Sequence, residues 1–130
     1  MIPGDDTVGV LIIDSDNVRR GMLACTLPAS RYSLEFANSA ERGLDLLVET
    51  QPDVVIVGSD STASDLCQRV TSLPAGANAT IVLMDERFTD EVLGRAEMEA
   101  VGADLFLPFP FEGEDFDGKV GSKLREKRGT

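Results

Sequence analysis

The sequence predicts a doubly wound α/β sandwich, with five parallel strands alternating with five helices. Three observations carry this. Val54 to Val57 are four consecutive branched apolar residues that follow a Pro52-Asp53 entry and end at Gly58-Ser59-Asp60. Val8 to Ile13 is a second unbroken apolar run, ending at Asp14-Ser15-Asp16-Asn17. Short apolar runs bounded by turn residues read as strands buried on both faces, as at the centre of a parallel sheet. Between the strand-like runs lie segments whose apolar residues recur at helical spacing. In open parallel sheets the working edge lies past the carboxyl ends of the strands, which here is Gly58, Ser59 and Asp60.

Each element has a local reason. After the first strand, Asp16 or Asn17 can cap a helix with Val18, Met22, Leu23 and Leu27 as its apolar stripe, and Pro28 stops it. Tyr32 to Ala37 alternates loosely and reads as a second strand. Asn38 or Ser39 caps a helix with Ala40, Leu44, Leu47 and Val48 on one face, closed by Gln51-Pro52. Past the central strand, Asp65 to Leu73 reads as a short helix and Pro74 to Asn78 as a surface loop. Ile81 to Met84 is the fourth strand, closing at Asp85. Thr89 caps a helix with Val92, Leu93, Ala96 and Ala100 inward, and Gly102 suits its carboxyl-terminal cap. Leu105 to Leu107 is the fifth strand, followed by Pro108-Phe109-Pro110. Phe116, Val120 and Leu124 mark a last helix. Gly118 and Gly121 lie inside it, each about 1 kcal/mol less favourable than Ala. Lys119, Lys123, Arg125, Lys127 and Arg128 gather toward its end, where cations suit the helix dipole.

Composition narrows the function. At 130 residues the chain reads as one domain, 1–130, with flexible ends at 1–7 and 126–130. Its 42% hydrophobic and 27% charged residues are those of an ordinary globular protein, and no apolar run is long enough to span a membrane. The acidic start, Met1 to Asp6, lacks the basic region of a secretory signal, so the expected location is the cytoplasm. A net charge of −11 argues against nucleic-acid partners. Cys25 and Cys67 lack metal-ligand spacing and read as reduced, core-facing thiols. There is no His, which removes the commonest general base and metal ligand. Asn78-Ala79-Thr80 matches a glycosylation sequon by chance. Asp14-x-Asp16 is no EF-hand loop, because Val18 and Arg19 stand where a ligand and Gly are required.

Four segments in order carry a resemblance: Val10-Leu-Ile-Ile-Asp14, Ala40-Glu-Arg-Gly43-Leu44, Pro52-Asp-Val-Val-Ile-Val57, and Gly102-Ala-Asp-Leu-Phe-Leu-Pro-Phe-Pro110-Phe111. Together they resemble the receiver domain of bacterial response regulators over nearly the whole chain. The resemblance implies a flavodoxin-like (CheY-like) (βα)5 fold with strand order 2-1-3-4-5. It also implies a chemistry: an acceptor Asp ends the third strand, and an acidic pair after the first strand helps hold Mg²⁺. A Ser or Thr follows the fourth strand, and a Lys precedes the Pro after the fifth. These parts position and neutralise a phosphoryl group.

This sequence departs from that set. The acceptor position falls on Gly58, the acidic pair is Asp14 with Ser15, the Ser/Thr position is Asp85, and the Lys position is Phe109. Only Asp14 stands in place. The expectation is therefore a degenerate receiver, with Asp14, Ser15, Gly58, Asp85 and Phe109 as a lapsed phosphorylation pocket. It would be a non-catalytic interaction module in bacterial signalling, without cofactor, working through protein partners. A homodimer through the face of the fourth helix, fifth strand and fifth helix is included in that expectation. Phe106 falls on the family's aromatic switch position, and Phe88, Phe109 and Phe111 could extend an apolar contact patch at the same end. The Phe109-Pro110 bond matches one that is cis in the family. Lys123 to Arg128 could begin a linker to an output domain. Two other readings stay open: a Mg²⁺-dependent phosphoacceptor using Asp60, and a small-ligand sensor with a pocket beside Gly58. A weak Mg²⁺ or Ca²⁺ site at Asp14, Asp16 and Asp85 competes with a plainer account. There Asp14 bonds the loop, Asp16 caps a helix and Asp85 faces solvent.

Overall fold

The computed structural model describes residues 7–58, 63–85, 96, 99–100, 102–108 and 111–127. Its strands are β1 (Val8–Ile13), β2 (Tyr32–Ala37), β3 (Val54–Gly58), β4 (Thr80–Asp85) and β5 (Leu105–Pro108). Its described helices are α1 (Asn17–Thr26), α2 (Ala40–Thr50), α3 (Ala63–Thr71), a short α4 (Pro74–Asn78) and α5 (Gly113–Lys127). The strands form one parallel sheet in the order β2-β1-β3-β4-β5, as expected. All five residues of β3 are buried, which is why its sequence is apolar without alternation.

The sheet divides the core in two. On one face Leu11, Ile13, Val55, Val57 and Leu83 meet Leu46 and Leu47 of α2 and Leu66, Cys67 and Val70 of α3. On the other, Val10, Ile12, Val54, Ile56 and Met84 meet Leu23 of α1 and Phe116 and Val120 of α5. The Phe116 ring stands edge-on to Tyr32 and stacks on Phe111, so one aromatic anchors α5 to the sheet.

The caps agree with the sequence. Asp16 accepts from the N–H groups of Val18 and Arg19 at the start of α1, and Ser39 accepts from that of Arg42 at the start of α2. Gln51 closes α2 in the left-handed region, at φ 47°, its N–H bonded to the Leu47 carbonyl.

Several expectations fail in instructive ways. Pro74 to Asn78 is a turn of helix, not a loop. Pro suits the first helical turn, whose N–H groups have no intrahelical partner. Gly76 is there for close approach: a Cβ would lie 1.8 Å from the Val70 carbonyl oxygen. In α1, Val18 and Met22 are exposed, and the inward row runs Arg19, Leu23, Leu27. Cys25 is consequently exposed, while Cys67 is buried. In α2, Val48 faces out and Leu46 faces in. Residues 96, 99 and 100 are helical as expected, yet Ala96 and Ala100 are exposed, which costs a good helix former with so little apolar surface almost nothing. No helix among the described residues is long and apolar enough to cross a membrane.

Candidate functional site

The register places the site. Ile13 at the end of β1 pairs with Val57 of β3, so the next residues, Asp14 and Gly58, stand side by side at the carboxyl edge. Asp14 is 3% exposed. A Cβ on Gly58 would lie 2.4 Å from Cγ and Oδ2 of Asp14. The Asp14 carboxylate therefore fills the space that a side chain at residue 58 would need.

What holds that carboxylate is Arg19, one turn into α1. Its Nε donates to Asp14 Oδ2 at 2.7 Å and its Nη2 to Oδ1 at 2.8 Å. The Asp16 N–H adds a bond to Oδ1 at 2.9 Å. Two parallel charge-assisted bonds from one planar guanidinium form the fork-to-fork pair that Arg makes and Lys cannot. The two side chains are only 13% and 1% exposed, so the pair is largely desolvated. Arg20 reinforces the turn through Asn17 Oδ1 and the Asp14 carbonyl. The Asp16 carboxyl titrates below its ordinary range, held there first by the N–H of Arg19.

The expected site residues fall as follows. Asp14 and Gly58 meet. Ser15 is exposed. Asp85 ends β4 beside Pro108 of β5, and its side chain lies outside the described residues, as do Phe88, Phe109 with its bond to Pro110, and Asp60. Asp16 is spent as the cap of α1. Of the expected apolar patch only Phe106 and Phe111 are described, and they lie on opposite faces: Phe106 is 5% exposed and packs on the α2–α3 face, whereas Phe111 stacks on Phe116 across the sheet. Successive strand residues point to opposite faces, and Leu105 and Leu107 flank Phe106 on the other side.

Among the described residues, the Mg²⁺ that the resemblance implies finds no matching ligand set. Such an ion wants several free oxygens. Asp14 gives both of its own to Arg19, Ser15 supplies only a neutral hydroxyl, and Gly58 supplies no side chain. Among the described residues no group of three acidic, Cys or His side chains could hold a metal.

A second feature lies at the β5 edge. A cavity of about 590 Å³ is lined by Glu99, Phe106, Asp115, Gly118, Lys119 and Lys123, among others. Its rim carries both signs of charge over an apolar floor.

No family model matches the chain. The response regulator MprA of Mycolicibacterium vanbaalenii is 30% identical over 121 residues, which is 91% of this chain and 51% of that protein. The chain thus spans about half the length of the curated relatives it matches. A receiver domain from Methanospirillum hungatei superposes with a TM-score of 0.76 at 18% identity, covering 95% of this chain and 98% of that one. The chemotaxis protein CheY4 of Vibrio cholerae gives 0.76 at 23% identity, covering 89% and 98%. The chain has the CheY-like receiver fold. In sequence the chain is similar to proteins named as response regulators, and in fold to CheY-like receiver domains. Against a receiver's expected parts, Arg19 is the residue that sequence reasoning missed. The available signal was its place, four and eight residues before Leu23 and Leu27 on the inward row.

Proposed function

We propose that this chain is a receiver that signals by protein contact without phosphorylation, a non-catalytic regulatory module of the bacterial cytoplasm. The observation that carries the reading is the Asp14–Arg19 pair lying over Gly58. Glycine offers no carboxylate to phosphorylate. The one acidic side chain of the expected set that is described is already neutralised by a guanidinium. Phosphoryl transfer depends on positioning an anion among cations, and here the Arg19 guanidinium is committed to Asp14. The space beside Gly58 belongs to Asp14, which weighs against a small-ligand seat there.

The partner surface in this reading is the β5 edge, where Phe106 floors the cavity and Lys119, Lys123, Asp115 and Glu99 rim it. It could serve a protein of the pathway or a second copy of the chain. Charged rims set partner choice and association rate more than bulk affinity. The test is affinity capture from the source bacterium with the wild-type chain and a Lys119→Glu/Lys123→Glu variant, each with and without acetyl phosphate and Mg²⁺. Light scattering on the purified chain reads self-association alongside. The expected result is a partner or dimer that acetyl phosphate leaves unchanged and the charge reversal loses. Association that appears only with the phosphoryl donor would overturn the reading.

A further inference from the structure

We propose that Arg19 is a tethered counter-cation, taking over within the chain the charge-balancing role that a bound divalent ion would otherwise have at the carboxyl edge of this sheet. The inference deepens the reading above, because it names what holds the edge in a single state.

Four observations converge on it. Asp14 is a nearly inaccessible carboxylate, and a buried charge needs a partner to remain charged. The partner present is a side chain, with both Asp14 oxygens engaged at 2.7 and 2.8 Å. The guanidinium arrives there by construction. Asp16 fixes the first turn of α1 by accepting from the N–H groups of Val18 and Arg19 at 2.8 and 3.1 Å, which turns residue 19 inward and residue 18 outward. Finally, the neighbouring positions comply: Gly58 leaves room for the Asp14 carboxylate, and Ser15 adds no charge beside a guanidinium that also stands 3.7 Å from Asp16 Oδ2. A divalent ion on the Asp14 carboxylate would meet a fixed positive charge within hydrogen-bond distance of both its oxygens, which repels it strongly.

The difference from an ion is one of exchange. A bound ion comes and goes with its concentration, whereas Arg19 is present in every molecule. The edge should therefore be insensitive to Mg²⁺ in the wild type and become sensitive when the guanidinium is removed.

The experiment titrates Mn²⁺, followed by electron paramagnetic resonance, into the wild type, Arg19→Ala and Arg19→Ala/Asp14→Asn. Melting temperatures with and without Mg²⁺ are measured on the same samples. Arg19→Ala is expected to bind Mn²⁺ at least about tenfold more tightly than the wild type, to gain melting temperature from Mg²⁺, and to lose both gains with Asp14→Asn. Because Arg19→Ala could unfold, the wild type and Asp14→Asn are also compared by the Arg19 Nε–H proton resonance. It should exchange slowly in the wild type, persist through a Mg²⁺ titration, and exchange fast in Asp14→Asn. Two outcomes overturn the proposal: a folded Arg19→Ala with no gain in Mn²⁺ affinity, or a wild-type Nε–H signal displaced by Mg²⁺. The functional reading has its own test and fails separately, if the wild type takes up phosphate.

Discussion

Gly58 and Asp14 share one volume, and that fact governs what either position can become. Adding a single methyl at residue 58 would place Cβ 2.4 Å from a carboxylate that Arg19 pins at both oxygens. The carboxylate cannot swing away without breaking a desolvated ion pair. Gly58→Ala is therefore expected to destabilise the fold by about 1–3 kcal/mol, as overpacking commonly does. Urea unfolding would read this as a lower midpoint at unchanged slope. The same change in an Asp14→Ala background should cost less, since the obstruction is gone. Equal costs in the two backgrounds would mean that something other than Asp14 fills the site. Part of this was legible in the sequence: the loss of an acceptor at Gly58 shows in one letter. What fills the gap does not, because hydropathy treats Arg19 as solvent-facing, and only the helix phase set by the Asp16 cap turns it inward.

At the level of elements, two glycines in helices make opposite predictions. Gly118 in α5 has open space around its missing Cβ, whereas Gly76 in α4 packs against the Val70 carbonyl, 1.8 Å from where a Cβ would sit. Gly118→Ala should stabilise by about 1 kcal/mol through helix propensity alone. Gly76→Ala should destabilise by about 3 kcal/mol or more, because the obstacle is backbone and cannot rotate away. Thermal melts of the two variants beside the wild type would check both signs. The strands were readable from sequence because they are continuous apolar runs, and β1 and β2 begin and end where expected. The Pro74–Asn78 helix was not, because its Pro and Gly are loop signals until one knows what packs on Gly76. In α1, Leu23 and Leu27 face inward as expected, and Val18 and Met22 were misassigned for a related reason: the inward row starts with a charge.

For the whole molecule, charge and pH set the stability window. Tyr32 on β2 donates its hydroxyl to Asp117 of α5, which also pairs with Arg31. Burial first, and then the Asp117 carboxylate, push the Tyr32 hydroxyl well above its ordinary value. Above the ordinary tyrosine range the unfolded chain gives up a proton that the native chain keeps. Stability from this group is thus complete below about pH 10 and falls as pH rises toward the native value. The carboxyl of Asp16 is shifted the other way, so its contribution is present above the ordinary aspartate range and lost as pH falls. Unfolding free energy followed against pH should decline at both ends. Tyr32→Phe is expected to flatten the alkaline limb, and Asp16→Asn, which keeps a capping oxygen, the acid limb. An alkaline limb unchanged by Tyr32→Phe would contradict that assignment.

The five-stranded order β2-β1-β3-β4-β5 follows from the alternation of runs and stripes, and the family likeness from four short segments. Function at this scale depends on whether the edge of the sheet accepts phosphate, and one measurement reads that directly. The purified chain is incubated with acetyl phosphate and Mg²⁺, and its intact mass is recorded under conditions that preserve acyl phosphates. The account predicts an unchanged mass at every Mg²⁺ concentration. A Mg²⁺-dependent gain of one phosphoryl group, removed by Asp60→Asn or by any other change of a carboxylate at that edge, would contradict it.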